Sequence, residues 1–251
     1  MYPLKFKHSN SDTRDYVYQN KTATIKDSAD LREWDTPVDD QGKLGSCGSE
    51  AMVGAYELMV RKNYPDKFVP LSQLFVYYNT RILEETVFED SGVTLREVLK
   101  SVKKYGICSE QLWLYDIEKF TQKPPEACYL DAQHRTVTNY QSLSTLEDIL
   151  EALDAELPVL IGLEVFHGFM KASKENSMIP EPNNYEDALG GHAMFALGYS
   201  LANRQILAKN SFGKDWGDNG YCWLSFDYVK SYVFEKWIFD INNQIEILLE
   251  N

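Results

Sequence analysis

Apolar residues recur along this chain at two different spacings, and the change falls near residue 136. From Cys47 onward, Ala51, Ala55, Leu58 and Met59 are three or four positions apart, the period of an amphipathic helix. Tyr64-Pro65 ends that helix, because the residue before a proline avoids helical geometry. A second helix is predicted over 71–83 with Ser72 as its cap, and a third over 94–105, with Leu95, Val98, Leu99 and Val102 on one face and Gly106 as its stop. Pro124-Pro125 punctuates the stretch that follows. Beyond 136, one more helix is predicted over 146–153, with Ser144 and Glu147 at capping-box spacing. Then come short apolar runs at 157–163, 192–199, 205–209 and 221–225, which read as strands. Helices first and strands later is an α+β pattern. The predicted division is a polar extension over 1–30, a helical lobe over 31–136 and a β-rich lobe over 137–251.

Bulk properties narrow the function. A chain of 251 residues with 44% hydrophobic content can bury one substantial core. The net charge of −13 repels nucleic-acid phosphates and anionic membrane surfaces, so neither is an expected partner. The plain meaning of that charge is a solvated acidic surface; the sharper one is a preference for basic substrate side chains. Residues 1–20 are polar and carry Lys5, Lys7, Asp12, Arg14 and Asp15, unlike a secretory signal. No run approaches the roughly 18 apolar residues of a membrane span. The expectation is a soluble monomer, intracellular or virion-associated rather than secreted. Four cysteines, Cys47, Cys108, Cys128 and Cys222, show no zinc-type spacing, so no metal is expected. Cys108 and Cys128 read as free thiols and Cys222 as a buried small hydrophobe.

The candidate chemistry lies in three strings: Gln41-Gly42-Lys43-Leu44-Gly45-Ser46-Cys47, then Gly191-His192-Ala193, then Lys209-Asn210-Ser211-Phe212-Gly213. They supply an amide, a thiol, an imidazole and a second amide. A thiol with a distant His, itself oriented by an amide, is acyl-transfer machinery. These strings, in this order and with six residues from Gln41 to Cys47, resemble papain-like (C1 family) cysteine peptidases. The stretch from Lys209 to Tyr221 is the longest part of the match. Asp12-Thr13-Arg14-Asp15-Tyr16, followed by Asp30-Leu31-Arg32, resembles the lead-in of short microbial and viral members that lack a long pro-segment.

The resemblance implies a two-lobed papain-like fold, with a helical left lobe, a β-rich right lobe and the active site in the cleft between them. It implies Cys47 as nucleophile, His192 as general base and acid, Asn210 as the orienter of the imidazole and Gln41 as an oxyanion donor. It also implies a thiol pKa depressed to roughly 3–4 by a helix N-terminus and an imidazolium. Peptides or proteins are the implied substrates, with no cofactor. Gly92, Val93, Gly162, Gly191, Phe212 and Trp216 are the implied substrate-binding positions. Leu44 stands where secreted relatives carry a second cysteine, which fits a reducing compartment.

Three positions depart from the family pattern: Gly48 and Phe212 replace tryptophans, and Val93 replaces a glycine. A shifted register would put Glu50 at the nucleophile position and make the protein inert, but Gln41 would then lie nine residues upstream instead of six. His167 is a rival imidazole without the apolar run that follows His192. A catalytically silent peptide-binding module, or a thiol transpeptidase or deamidase, are the alternative functions. The loop over 171–189, rich in acidic residues, reads as a surface loop or an overhang on the cleft. Residues 1–25 are expected either to pack on the body, as Arg14-Asp15-Tyr16 suggests, or to lie in the cleft and block it.

Overall fold

The computed structural model describes residues 2–9, 12–13, 15–19, 24–183 and 185–242; Arg14 and residues 243–251 of the expected β-rich lobe lie outside them. After strand β1 (Ser28–Asp30), four helices follow: α1 (Cys47–Asn63), α2 (Gln73–Leu83), α3 (Leu95–Tyr105) and α4 (Glu126–Ala132). Short helices α5 (Leu146–Asp154), α6 (His167–Met170) and α7 (Phe226–Tyr232) are interleaved with strands. The strands are β1 (Ser28–Asp30), β2 (Val137–Ser142), β3 (Val159–Val165), β4 (Met178–Ile179), β5 (Gly190–Ser200), β6 (Gln205–Lys209), β7 (Tyr221–Ser225) and β8 (Val233–Ile241). They form one sheet in the order β2-β8-β3-β5-β6-β7-β4, with β1 added to β5.

Local chemistry sets the helix ends. Ser72 accepts from the Phe75 N–H and Thr94 from the Glu97 N–H, each satisfying an orphan amide of a first turn. The capping box of α5 is one residue later than the sequence spacing suggested: Thr145 and Asp148 form it, and the Asp148 carboxylate also accepts from the Ser144 N–H. A shorter Asp at the third position reaches back as well as a Glu would. Strands β2 and β8 carry mixed polar and apolar residues without the continuous runs of β3 and β5, which is why periodicity passed over them.

Strand alternation divides the core in two. In β5, Ala193, Phe195 and Leu197 face a core shared with α1, α2 and α3, while Met194 and Ala196 face a second core with α5 and α7. Helix α1 lies directly across β5, so the helical half and the sheet share one interior.

A buried ion pair ties the loop before α1 to the sheet. Lys209 Nζ donates to Asp35 Oδ1 at 2.9 Å and to the Thr36 carbonyl at 2.8 Å, and Tyr221 donates its hydroxyl to Asp35 Oδ2 at 2.7 Å. Both charged side chains are sealed from solvent. Removing one partner strands the other charge in a low-dielectric interior, which typically costs about 3–5 kcal/mol. Lys209→Ala is therefore expected to lower unfolding stability by about that amount in urea titrations. Replacing Asp35 and Lys209 together with apolar residues should recover part of the loss.

Candidate active site

Cys47 is the first residue of α1, so its side chain stands at the positive end of the helix dipole. Its side chain lies in the same buried core as Ala193. Ala193 follows His192 in β5, so packing α1 on β5 brings the segments that carry Cys47 and His192 together across 145 residues of chain. The shifted register fails here. Glu50 points into the interior, where it meets the Ser46 hydroxyl at 3.0 Å, and Ser46 in turn lies 2.6 Å from Tyr115 Oη. Burial pushes the Glu50 carboxyl well above its ordinary range.

His192 Nε2 lies 2.7 Å from Asn210 Oδ1, and the Ser211 N–H donates to that same oxygen at 2.8 Å. Of the two terminal atoms of the Asn210 amide, only the oxygen can accept from the Ser211 N–H, which sets the amide's orientation and gives the imidazole proton to Nε2. The other ring nitrogen, Nδ1, is buried without a hydrogen bond. Phe212 stands 4.7 Å from the imidazole and Phe169 5.7 Å, centroid to centroid. Trp216 packs behind both and donates its indole N–H to the Phe169 carbonyl. A phenyl ring at 212 thus covers the His–Asn hydrogen bond where the family pattern has an indole.

Gln41 joins the same cluster. Its Oε1 accepts from the Ser211 hydroxyl at 2.7 Å, its Nε2 donates to the Leu44 carbonyl at 2.9 Å, and its backbone N–H donates to the Ser211 carbonyl. The side-chain amide has a second N–H beyond the one Leu44 uses. His192, Asn210, Ser211 and Gln41 thus form one hydrogen-bonded run, and Cys47 lies in the core that also takes in Ala193. His167 stands apart: it is exposed on α6 and pairs with Glu186. The loop over 171–189 is pinned at the far edge of the sheet, through β4 against β7 and Glu181 against Ser225.

The N-terminal segment lies in the cleft. Phe6 N–H donates to the Gly191 carbonyl at 3.2 Å and Lys7 N–H to the Val93 carbonyl at 3.4 Å. Tyr2 stacks on Phe212 at 3.9 Å and donates its hydroxyl to the Phe212 carbonyl, while His8 stacks on Phe234 at 3.4 Å. A Cβ on Gly92 would stand 2.1 Å from the Lys5 carbonyl oxygen, and one on Gly162 would stand 2.4 Å from Phe6 Cε1. Gly92, Val93, Gly162, Gly191 and Phe212 therefore all touch residues 2–9, whereas Trp216 is buried behind Phe212. Farther along, Asp15 pairs with Arg96, and Tyr18 donates its N–H to the Ser142 carbonyl. The two alternatives for the extension thus apply to different parts of it: residues 2–9 lie against the cleft walls, and Asp15 and Tyr18 lie on the body.

Burial governs the electrostatics of the site. Cys47 and His192 are both fully buried. Burial pushes the Cys47 thiol up to about 12, against the lowering effect of the Ala193 N–H, and pulls His192 down to about 4, against its hydrogen bond to Asn210. The direction for Cys47 is opposite to the depressed value the resemblance implied. The reason is desolvation: with water excluded, both groups are held neutral. Phe169, Phe234, Tyr115 and Asp90 also belong to the site but had escaped notice in the sequence. Only Asp90 left a trace there, as the residue two before Gly92.

The chain matches the papain family cysteine protease model over residues 25–237. An uncharacterized peptidase C1-like protein of Acanthamoeba polyphaga mimivirus is 37% identical over 212 residues, which are 79% of this chain and 68% of that protein. Thiol protease aleurain of Arabidopsis thaliana is 26% identical over 81% of this chain, which spans 60% of aleurain's length. Among solved structures, xylellain, a cysteine protease from Xylella fastidiosa, superimposes with a TM-score of 0.84 at 29% identity, covering 94% of this chain and 95% of its own. Among the described residues, no helix is long and apolar enough to cross a membrane.

The strap makes alkylation of Cys47 informative. In the intact chain, iodoacetamide should label Cys47 slowly at pH 5.5, and the rate should climb with pH, since thiolate grows about tenfold per pH unit until the thiol's value near 12 is reached. Phe6→Ala should raise labelling of Cys47 at pH 5.5 and flatten that slope, as water returns and a thiolate–imidazolium pair forms. Cys108, Cys128 and Cys222 should stay slow. Equal acceleration of all four would mean general loosening and not release of the strap.

Proposed function

Because this chain belongs to the papain family of cysteine proteases and has its α+β fold, we propose that it hydrolyses peptide bonds through a thioester on Cys47, and that residues 2–9 hold the site closed until displaced. The observation that carries this reading is the fixed tautomer of His192. Asn210 Oδ1 accepts from Nε2, which leaves Nδ1 as the basic nitrogen in a site shared with the Cys47 sulfur.

Each step follows from that arrangement. Nδ1 takes the thiol proton, and the sulfur attacks the carbonyl carbon of a peptide bond. The C–S bond forms as the carbonyl electron pair moves to oxygen. The Cys47 N–H at the helix start and the Gln41 side-chain amide are the donors for that oxyanion. The intermediate collapses with cleavage of the C–N bond, and the imidazolium returns its proton to the leaving amine. A water molecule, deprotonated by His192, then attacks the thioester. The acid product departs and the thiol is restored. Phe212 and Phe169 keep bulk water from the His192–Asn210 hydrogen bond throughout.

Residues 2–9 support the second half of the proposal because they occupy the cleft on both sides of the dyad. They contact Gly92 and Val93 on the helical side and Gly162 and Gly191 on the sheet side. A substrate must displace them. A tethered segment acts at an effective concentration on the order of millimolar, so modest contacts suffice to keep it seated.

The test uses the full chain with Phe6→Ala and an unstructured protein substrate. Activity should exceed that of the unaltered chain several-fold. It should vanish with Cys47→Ala or His192→Ala, and fall about 10²–10³-fold in kcat with Gln41→Ala. During turnover, mass spectrometry should detect an acyl group on Cys47. A Phe6→Ala protein that binds peptides but never cleaves them would favour the silent binding module. Transfer of the acyl group to amines in preference to water would favour the transpeptidase.

A further inference from the structure

Residues 5–7 read Lys-Phe-Lys in extended conformation, so successive side chains leave the strap on opposite sides. Phe6 points into a pocket with Gly162 and Phe234 at its wall and is only 5% exposed. Lys5 and Lys7 face the helical wall, in the connection from α2 to α3. Lys5 Nζ donates to Asp90 Oδ2 at 2.7 Å and to the Asp90 carbonyl at 2.8 Å, and Lys7 Nζ stands 3.9 Å from Glu84 Oε2.

The two carboxylates are held in the same way. Asp90 uses Oδ1 to accept from Tyr77 Oη at 2.5 Å and from the Gly45 N–H at 2.9 Å, which leaves Oδ2 for Lys5. Glu84 uses Oε1 to accept from the Thr94 N–H at 3.0 Å, which leaves Oε2 for Lys7. Neither carboxylate depends on the strap for its position. When the strap leaves, two oriented anions stay on one wall, with an apolar pocket opposite. Both are largely covered, with side chains 18% and 11% exposed, so losing their cationic partners leaves them poorly solvated.

We propose that the cleft selects a basic–aromatic–basic segment in its substrates, with Asp90 and Glu84 as the specificity-determining residues for the two basic side chains. The inference rests on the reading of this cleft as the substrate site. It gives the acidic balance of the chain a local meaning, since two of its carboxylates are aimed at the strap. The strap is then a pseudo-ligand: it carries the side chains the walls are built to accept.

Binding, not cleavage, tests this. The full chain carrying Lys5→Ser, Phe6→Ser, Lys7→Ser and Cys47→Ser is titrated with a fluorescent peptide of the sequence Tyr-Pro-Leu-Lys-Phe-Lys-His-Ser. Replacing the peptide's Phe by Ala should weaken binding about tenfold or more. Replacing either Lys by Ala should weaken it about two- to fivefold, and by Glu more, with the effect shrinking at high salt. Asp90→Asn should erase the preference for the first Lys and keep those for Phe and the second. Equal affinity for Lys, Ala and Glu peptides overturns the proposal.

A second readout needs no strap-free protein. In the otherwise unaltered chain, Lys5→Glu should speed Cys47 alkylation at pH 5.5, and adding Asp90→Lys should slow it again. Failure of the swap to restore protection counts against the Asp90 assignment. Selective binding of the peptide by a chain whose Phe6→Ala form leaves the unstructured protein substrate uncut would overturn the peptidase reading and still support this one.

Discussion

The contact between the first turn of α1 and the start of β5 is the one on which the rest depends. It puts Cys47 in the same buried core as Ala193, the residue that follows His192. The same contact closes the helical layer onto the sheet, because Ala193, Phe195 and Leu197 project from β5 into the core that α1 fills. Neither part could hold its position alone. The helix start supplies amides without partners, and the strand start supplies a ring that needs orienting. The loop between residues 35 and 46 is fixed to the sheet by the Asp35–Lys209 pair, next door to Asn210. One buried charge pair thus couples the segment that carries Gln41 to the segment that carries Asn210.

The strap trades reactivity for closure. A thiolate–imidazolium pair needs solvent or compensating charge, and residues 2–9 remove the solvent. With the strap seated, burial holds the thiol protonated and the imidazole neutral. In the proposed reading, closure therefore blocks access and also discharges the dyad. The strap is held at its ends by aromatic stacking, Tyr2 on Phe212 and His8 on Phe234, and in the middle by backbone hydrogen bonds and the Phe6 pocket. Such contacts are individually weak and reversible. Tethering makes them sufficient without making them permanent.

Much of the fold was legible in the sequence because its signals are local. Helices α1, α2 and α3 announce themselves through three-and-four spacing, Ser72, Thr94 and Gly106, and β3, β5, β6 and β7 through apolar runs bounded by turns. Strands β2 and β8 were not legible, since their exposed and buried residues mix without a long apolar run. Phe169 gave no sign of its place beside the imidazole, because α6 is a single turn and Phe169 is placed by Phe212 and Trp216, far along the chain.

The sequence by itself determined the inventory of the site: a thiol at a helix start, a His at a strand start, an Asn after a strand and a Gln six residues before the thiol. These follow from residue identity and spacing, which local conformation preserves. Only the tertiary structure decided what fills the cleft. The fate of residues 2–9 depends on contacts with Val93, Gly162, Gly191, Phe212 and Phe234, which lie more than 80 positions away in the chain. The protonation state of Cys47 was decided there too, because desolvation is a property of everything packed around a group and not of the string that carries it.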